Sequence, residues 1–336
     1  MSLPSGGMPG REAGAAGRMP VRWTLALMLG ALLAASGNAP ARAEAPPEKA
    51  VASQTPAAPP EKSAHDREFW RTIAKNKFAP PAGQPITPLL RELSGLLGSA
   101  DPELRDDLAY TITDQWVRHQ EVPAADLNAL ADAWRENLRF KIGETGTDSV
   151  FTRSFSALCL ASLARREQQV PFLGPERYQA LLNEGLTYLK QERDLRGFDP
   201  VKGWIHATAH TADLLANLAG NGMLRKEDQA RLLEAISQRL SSAGQIFSYG
   251  EQDRLSLIAA TLAMRNDFDA QAFNRWLTAV SGDQRVWNDS PPRVELLQTF
   301  ENNTYMLQAL AAHLSAPETP PLAEARKSLL QVLRRR

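Results

Sequence analysis

The fold class is decided by residues 197–219, which read GFDPVKGWIHATAHTADLLANLA. From position 202 onward the apolar residues recur with helical spacing, which predicts a helix over residues 202–219. With about 100° of rotation per residue, alanine, leucine and other weakly polar side chains cover most of this helix. Because a helix that is apolar on nearly every side is packed on most of its surface, the segment predicts the interior of an all-α protein. The strongly polar side chains fall in one narrow stripe: Lys202, His206, His210, Asp213 and Asn217.

Helical spacing continues on both sides of this segment, and short Gly, Pro, Asp or Asn signals separate the helices. No convincing strand pattern is present in the sequence. Asp101, followed by Pro102 and Glu103, is typical of a capped helix start. We therefore predict a single α-helical repeat domain over residues 64–334. Its other helices are expected near residues 64–76, 86–98, 102–120, 123–140, 147–166, 175–193, 224–242, 250–264, 269–281, 292–314 and 320–334.

A short leucine- and alanine-rich motif recurs through the helices every 44 to 55 residues. It reads LASLA at 160–164, LANLA at 215–219, AATLA at 259–263 and LQALA at 307–311. This spacing corresponds to about one helix pair, and apolar helices alternate with more charged ones. The pattern predicts stacked antiparallel helix pairs, a HEAT-like α-α superhelical array with the apolar helices inside.

The charge balance excludes some partner classes. Lysine and arginine match aspartate and glutamate at 38 each, so the formal net charge is zero. There is thus no electrostatic reason to expect nucleic acid or an anionic membrane as the partner. Hydrophobic residues at 43% and charged residues at 23% describe an ordinary globular protein, so composition names no activity.

The first 43 residues are predicted to be a signal peptide. Arg18 and Arg22 precede an apolar run over residues 23–35, which is too short to span a bilayer comfortably and suits a signal-peptide core. Small residues at 41 and 43 put the cleavage site before Glu44, and the alternative is an uncleaved anchor. We expect an exported protein, periplasmic or secreted, without stable membrane insertion after cleavage.

Two further features concern the exported chain. Residues 44–63 contain five prolines and five alanines, and we predict a disordered, flexible linker there. The one cysteine, Cys159, has apolar neighbours at helical spacing and no positively charged residue at i+3 or i+4. It has no disulfide partner within the chain, and a buried, inert thiol is expected rather than a nucleophile.

The polar stripe holds two of the chain's five histidines, which are unusual residues for a solvated face. His206 and His210 are spaced i, i+4, so both imidazoles can reach one ion, with Asp213 one turn further along. Three interpretations remain open: a structural hydrogen-bond network, a ligand or substrate site without metal, and a site for a divalent transition metal. No other cofactor is indicated. In a catalytic version, either histidine is the general base and Asp213 orients it.

Polar residues also lie near the starts of the other apolar helices, and stacking in register would bring them to one groove. Glu251 and Arg254 are spaced i, i+3, so a local ion pair is the alternative for them. Trp204 and Phe247 either offer a stacking surface for a sugar or belong to the core. The predicted ligand-binding residues are Arg153, Lys202, Trp204, Asn217, Glu251, Asp253, Arg254 and Asn302.

Four motifs read LGSADPELRDDLAY at 97–110, FTRSFSAL at 151–158, RGFDPVKGWIHATAHTADLL at 196–215 and EQDRL at 251–255. In their order and spacing the chain from about residue 87 to 311 resembles the bacterial domain-of-unknown-function 2785 family. Thr211 stands where the third motif is expected to have glycine. The resemblance implies a helical-repeat fold and supplies no accepted activity.

Two functional hypotheses follow. In the first, the protein is a non-enzymatic binding or interaction module whose polar groove holds a peptide, a glycan or an envelope protein. In the second, it is a hydrolase with a His/Asp site, with or without metal, on the helix at 202–219. The hydrolase hypothesis assigns the stabilisation of developing negative charge to Lys202, Arg153 or Arg254.

Overall fold

The computed structural model describes residues 63–282, 284–288, 290–315 and 319–334. The predicted signal peptide and the linker up to residue 62 lie outside the described residues. Within the described part, twelve α-helices and one short β-hairpin are found, and the all-α prediction is confirmed. None of these helices is long and apolar enough to cross a membrane. The α-helices are α1 (Arg67–Lys75), α2 (Ile86–Leu96), α3 (Thr111–His119), α4 (Ala124–Asn137), α5 (Ser149–Gln169), α6 (Gly174–Gln191), α7 (Ala207–Ala219), α8 (Lys226–Ser241), α9 (Glu251–Ala263), α10 (Ala270–Ser281), α11 (Val294–His313) and α12 (Pro320–Leu333).

A π-helical segment, Glu103–Tyr110, runs directly into α3. Asp101 caps its start as predicted, because its Oδ1 accepts hydrogen bonds from the backbone N–H groups of Glu103 and Leu104 at 2.9 and 3.3 Å. The wider π-helical turn is rare and is often found beside functional sites. In this segment Arg105 points into the interior and is fully buried.

The four helices α5, α7, α9 and α11 form an interior row. In this row α5 packs on α7, α7 on α9 and α9 on α11, and these helices carry the four leucine- and alanine-rich motifs. The more charged helices pack as a second row, with α6 on α8, α8 on α10 and α10 on α12. Apolar and charged helices therefore alternate along the chain, and the HEAT-like repeat stays a prediction.

Helix α5 shows how far this burial goes. Almost every residue from Val150 to Ala164 is buried, including the polar Ser154 and Ser156. Cys159 lies in the middle of this stretch, and burial raises the pKa of its thiol well above the ordinary value. A thiol that stays protonated and out of solvent is a poor nucleophile, which agrees with the predicted inert state.

The predicted helix over residues 202–219 is wrong in its first part, because α7 begins at Ala207. The residues before α7 form a β-hairpin of two strands, β1 (Phe198–Asp199) and β2 (Gly203–Trp204). The strands are antiparallel, with Phe198 opposite Trp204 and Asp199 opposite Gly203.

The turn of the hairpin is set by local chemistry. The Asp199 carboxylate accepts hydrogen bonds from the backbone N–H groups of Val201 and Lys202, both at 2.8 Å. Gly203 has a φ of 74°, a conformation that glycine adopts without steric cost. Lys202 therefore lies in a turn, and His206 precedes the helix, so neither belongs to the helical face that carries Asp213.

Candidate functional site

The β-hairpin is anchored to the helical body by Arg105. Its Nη2 donates hydrogen bonds to the backbone carbonyls of Lys202 at 2.6 Å and Trp204 at 3.2 Å, and its Nη1 donates to the carbonyl of Ser99 at 2.8 Å. The guanidinium carbon lies 4.0 Å from the centre of the Phe151 ring, a cation–π contact. One buried side chain therefore fixes the second half of the hairpin, on both sides of Gly203.

The inner face of the hairpin packs closely against the helical body at Gly203. A Cβ there would lie 3.0 Å from Pro102 Cβ and 3.5 Å from the Asp106 carboxylate. Asp106 also accepts a hydrogen bond from Arg105 Nη2 at 3.1 Å. Burial nevertheless raises the pKa of Asp106 to about 7, so this carboxyl group titrates close to neutral pH.

Three aromatic side chains lie together at the outer face of the hairpin, and we call them the aromatic surface. Phe198 and Trp204 come from its two strands, and Tyr249 comes from the loop before α9. Their exposed fractions are 41%, 36% and 48%. The ring centres of Phe198 and Trp204 lie 4.9 Å apart, and each is 6.4 Å from the ring centre of Tyr249. Large aromatic rings that are exposed and in mutual contact are typical of binding surfaces.

His206 lies directly beneath the aromatic surface. Its imidazole stacks on the Trp204 ring with 4.5 Å between centres and an interplanar angle of 23°. The backbone of His206 is left-handed, with φ 50° and ψ 30°, a conformation in which histidine is enriched among non-glycine residues. This conformation turns the chain sharply from β2 into α7.

The protonation of His206 follows from its hydrogen bond. Its Nε2 lies 2.9 Å from the Tyr249 carbonyl oxygen, which only accepts, so Nε2 carries the proton. Burial lowers the pKa of His206 to about 4, and the imidazole is neutral at pH 7. The Nδ1 nitrogen then keeps a lone pair, for which no hydrogen-bond partner is found among the described residues.

His210 is a second neutral imidazole, one turn into α7. Ser154 Oγ donates its proton to the Ile205 carbonyl, so the 2.8 Å contact between Ser154 Oγ and His210 Nδ1 has Nδ1 as the donor. Burial lowers the pKa of His210 well below its ordinary value. The ring centres of His206 and His210 are 5.7 Å apart with the rings nearly perpendicular, so the two histidines are neighbours, as predicted from their spacing.

The carboxylate beside His206 is Glu251, the first residue of α9. Its Oε1 lies 3.7 Å from His206 Nε2, and its Oε2 accepts a hydrogen bond from the Tyr249 N–H at 2.9 Å. Only 2% of Glu251 is exposed, and burial raises the pKa of its carboxyl group. Glu251 and His206 thus hold the backbone of Tyr249 from both sides, through its N–H and its carbonyl.

Asp213 is not part of this cluster. Both of its carboxylate oxygens accept hydrogen bonds from Arg254 Nη1, at 2.7 and 2.6 Å, while burial raises the pKa of the carboxyl group. The Asn217 side chain donates to the backbone carbonyl of Asp213 at 2.8 Å, further along the same helix. The predicted trio of His206, His210 and Asp213 is therefore not brought together.

The metal prediction depended on that trio. Across residues 63–282, 284–288, 290–315 and 319–334, no group of three or more histidine, cysteine, aspartate or glutamate side chains is arranged to hold a metal ion. The donor set around His206 consists of two imidazoles and Glu251, with Glu251 on the protonated side of His206. This arrangement does not fit a three-ligand site.

Besides Glu251, two predicted ligand-binding residues, Arg153 and Asn302, are buried in the structure. Arg153 is fully buried and forms a two-bond ion pair with Glu192, Nε to Oε2 at 2.6 Å and Nη2 to Oε1 at 3.0 Å. Asn302 is also fully buried, where its Oδ1 accepts from the Phe247 N–H and its Nδ2 donates to the Gln245 carbonyl. Both side chains are bound inside the fold, Arg153 by a buried carboxylate and Asn302 by backbone groups, and they do not reach a groove. Phe247 is itself buried, so of its two predicted roles, sugar stacking or core packing, the structure shows core packing.

Two further predicted residues, Lys202 and Asp253, are partly exposed and lie in different places. Lys202 Nζ pairs with Asp148 Oδ1 at 2.6 Å beside the hairpin, and both side chains are partly exposed. Asp253 pairs with His313 Nε2 at 2.8 Å on the far side of α9, and this hydrogen bond lowers the pKa of Asp253. Lys202 is therefore next to the aromatic surface.

Sequence reasoning missed Phe198 and Arg105. One signal for the hairpin was Gly203, because a glycine inside a helical pattern marks a place where that pattern can end. The Asp-Pro pair at 199–200 also signals a turn. No local signal identifies Arg105, because its hairpin partners are about one hundred residues away in the chain.

The fold and the site together define a class: an all-α protein in which an aromatic surface lies over two neutral histidines. The family model described as "Protein of unknown function (DUF2785)" matches residues 138–312, which include the hairpin and helices α5 to α10. The chain belongs to this family, and the resemblance seen in the sequence motifs is confirmed. The match begins later than the expected residue 87. No curated protein and no solved structure matches the chain.

Proposed function

We propose that the protein is a binding module and that its ligand binds at the aromatic surface. The observation that carries this proposal is the exposure of Phe198, Trp204 and Tyr249, between 36% and 48% each, with the two hairpin rings in contact with each other and with Tyr249 from the loop before α9. Aromatic side chains supply large contact areas at low cost in conformational entropy, and they dominate the energetics of binding surfaces.

The surface is held in place before any ligand arrives. Trp204 stacks on His206, the strand that carries Trp204 is fixed through Arg105, and the backbone of Tyr249 is fixed by His206 and Glu251. A preorganised surface loses little freedom when it binds. The two histidines and Glu251 then have a supporting role beneath the contact surface.

The wider setting is proposed from the sequence. We expect a HEAT-like helical array that is exported to the periplasm or beyond, with residues 44–63 as a flexible linker that gives the domain reach. A ligand of the cell envelope, whether a glycan, a peptide or a protein, suits this location.

Binding is tested with Trp204→Ala and a matched control, Trp287→Ala. Trp287 is 57% exposed and lies in the short 3-10 helix Gln284–Trp287, away from the hairpin in sequence. Isothermal titration against oligosaccharides, peptides and envelope fragments should find a ligand whose affinity falls in Trp204→Ala and not in Trp287→Ala. Equal affinities in both variants, at unchanged melting temperature, would refute the assignment of the surface.

Hydrolysis is the second candidate function, and one observation favours it. His206 keeps a free Nδ1 lone pair that can accept a proton from an attacking water, while the carboxyl group of Glu251 lies 3.7 Å from the opposite ring nitrogen, Nε2. With a pKa of about 4 it is a weak base at neutral pH, which supports binding more strongly than turnover. Hydrolysis predicts that a bound ligand is cleaved by the wild type and only bound by His206→Asn, as followed by mass spectrometry. A ligand recovered intact from the wild type counts against it.

A further inference from the structure

We infer that the ligand of the aromatic surface is a neutral saccharide that stacks on Trp204, an inference that rests on the proposed binding function. Three independent features of the hairpin support this ligand class: the exposed part of one indole ring, the pairing of the surrounding basic side chains, and a donor and acceptor pair at the rim.

The first feature is the orientation of Trp204. One face of its ring is covered by the stacked imidazole of His206, 4.5 Å away between centres. The 36% exposure of the residue therefore lies on the parts of Trp204 that His206 leaves uncovered. Phe198 meets this indole at an interplanar angle of 66°, so these two rings pack edge to face and not in parallel. An exposed, electron-rich indole suits the C–H face of a pyranose ring, because the ring quadrupole attracts the weakly positive hydrogens.

The second feature is the pairing of the basic side chains around the hairpin. Lys202 is paired with Asp148, and Arg196 is paired with Asp194 through contacts of 2.6 and 2.8 Å. His206 is neutral at pH 7, since burial lowers its pKa to about 4. An anionic ligand would have to break one of these pairs to find a cationic partner, whereas a neutral ligand leaves them intact.

The third feature is the Lys202–Asp148 pair itself, which lies beside Trp204. The two side chains are 37% and 44% exposed, and they meet through one N–H and one carboxylate oxygen at 2.6 Å. Lys202 keeps further N–H donors, and Asp148 keeps a second oxygen. Neighbouring sugar hydroxyls both donate and accept, so two of them can bind this pair at once. A saccharide therefore satisfies the stacking face and the polar rim together.

The test is isothermal titration of the folded protein with three probes: chitohexaose, cellohexaose and a synthetic peptide of residues 44–63. The peptide contains five prolines and represents extended peptide ligands that also favour aromatic surfaces. We expect at least one of the two hexasaccharides to bind. Its affinity should fall by about tenfold or more in Trp204→Ala, stay closer to wild type in Trp204→Phe, and be unchanged in Trp287→Ala. Lys202→Met should weaken binding by about threefold to tenfold, as expected for lost hydrogen bonds at a partly exposed rim.

Each outcome separates the two proposals. Peptide binding that depends on Trp204, without saccharide binding, overturns the saccharide inference and leaves the binding module intact. Saccharide binding that is equal in Trp204→Ala and Trp287→Ala overturns both. Failure of both hexasaccharides to bind a protein with native melting temperature overturns the saccharide inference, and the wider ligand panel then decides the proposed function.

Discussion

The substitution Gly197→Ala is the sharpest probe of how the aromatic surface is built. Gly197 directly precedes β1, and its backbone does not lie in the left-handed region, so alanine adds no backbone strain. A Cβ at this position would lie 2.6 Å from Tyr249 Cγ and 2.8 Å from Glu251 Oε1. Ordinary carbon contacts are about 3.5 to 4.0 Å, so the Tyr249 ring has to move by about 1 Å or more.

The size of the effect follows from what is able to move. Overpacking costs about 1 to 3 kcal/mol in a closed core. Tyr249 is half exposed and can swing outward, whereas Glu251 is buried at the start of α9. We therefore expect a loss near the lower end, about 1 kcal/mol in the free energy of unfolding. The displaced ring should also remove one of the three members of the aromatic surface, so ligand affinity should fall with stability.

Urea unfolding of Gly197→Ala is compared with that of Gly222→Ala. Gly222 has no atom within 4 Å of the position of a new Cβ, and its backbone also lies outside the left-handed region. Both substitutions reduce the entropy of the unfolded chain by the same amount, so their difference isolates the contact with Tyr249 and Glu251. If Gly197→Ala is as stable as Gly222→Ala and Tyr249 does not move, the packing described for this surface is wrong.

Three further predictions test the residues that support the site. Arg105→Met removes donors to the carbonyls of Ser99, Lys202 and Trp204, so we expect a loss of about 2 to 3 kcal/mol and faster amide hydrogen exchange over residues 198–206. The control Arg71→Met, at a partly exposed ion pair, should lose clearly less stability. Arg153→Met strands the buried Glu192 and should cost about 3 to 5 kcal/mol in urea unfolding without changing ligand affinity at a temperature where the variant is folded; a selective loss of affinity would restore Arg153 as a ligand contact. His206 has a folded pKa of about 4, below its unfolded value of about 6.5, so the unfolded state takes up the proton first and stability is lost as pH falls between these values, by about 3 kcal/mol. The raised pKa of Asp106, about 7, has the opposite effect on stability as pH falls. The loss of stability due to His206 is therefore measured as the difference between wild type and His206→Asn. Titration of His206 near pH 6.5 by NMR would contradict the burial argument.

Much of the fold was accessible from the sequence because it depends on local periodicity. The helices that carry the leucine- and alanine-rich motifs were found at nearly the right positions, and Asp101 was recognised as a cap. The helix prediction failed for the first part of residues 202–219 because the spacing of the side chains there is compatible with a helix. The choice of a hairpin depends on the turn at Asp199 and on Arg105, which is remote in sequence.

The candidate site was predictable only in part, for the same reason. The neighbourhood of His206 and His210 follows from their spacing and is confirmed. The partners of the charged residues do not follow from spacing, because each lies on another helix or loop. Arg153 pairs with Glu192 about forty residues away in the chain, and Asp213 pairs with Arg254 at a similar separation. The charged side chains that suggested a groove therefore form ion pairs within the fold.

The most direct test of the central claim is a ¹⁹F NMR titration of protein labelled with 5-fluorotryptophan. The chain has seven tryptophans, and the resonance of Trp204 is assigned from its loss in Trp204→Phe. As chitohexaose or cellohexaose is added, we predict that the Trp204 resonance shifts with saturation while that of the more exposed control, Trp287, stays in place. A saturable shift of other resonances with Trp204 unchanged would contradict the claim that the aromatic surface is where this protein binds its ligand.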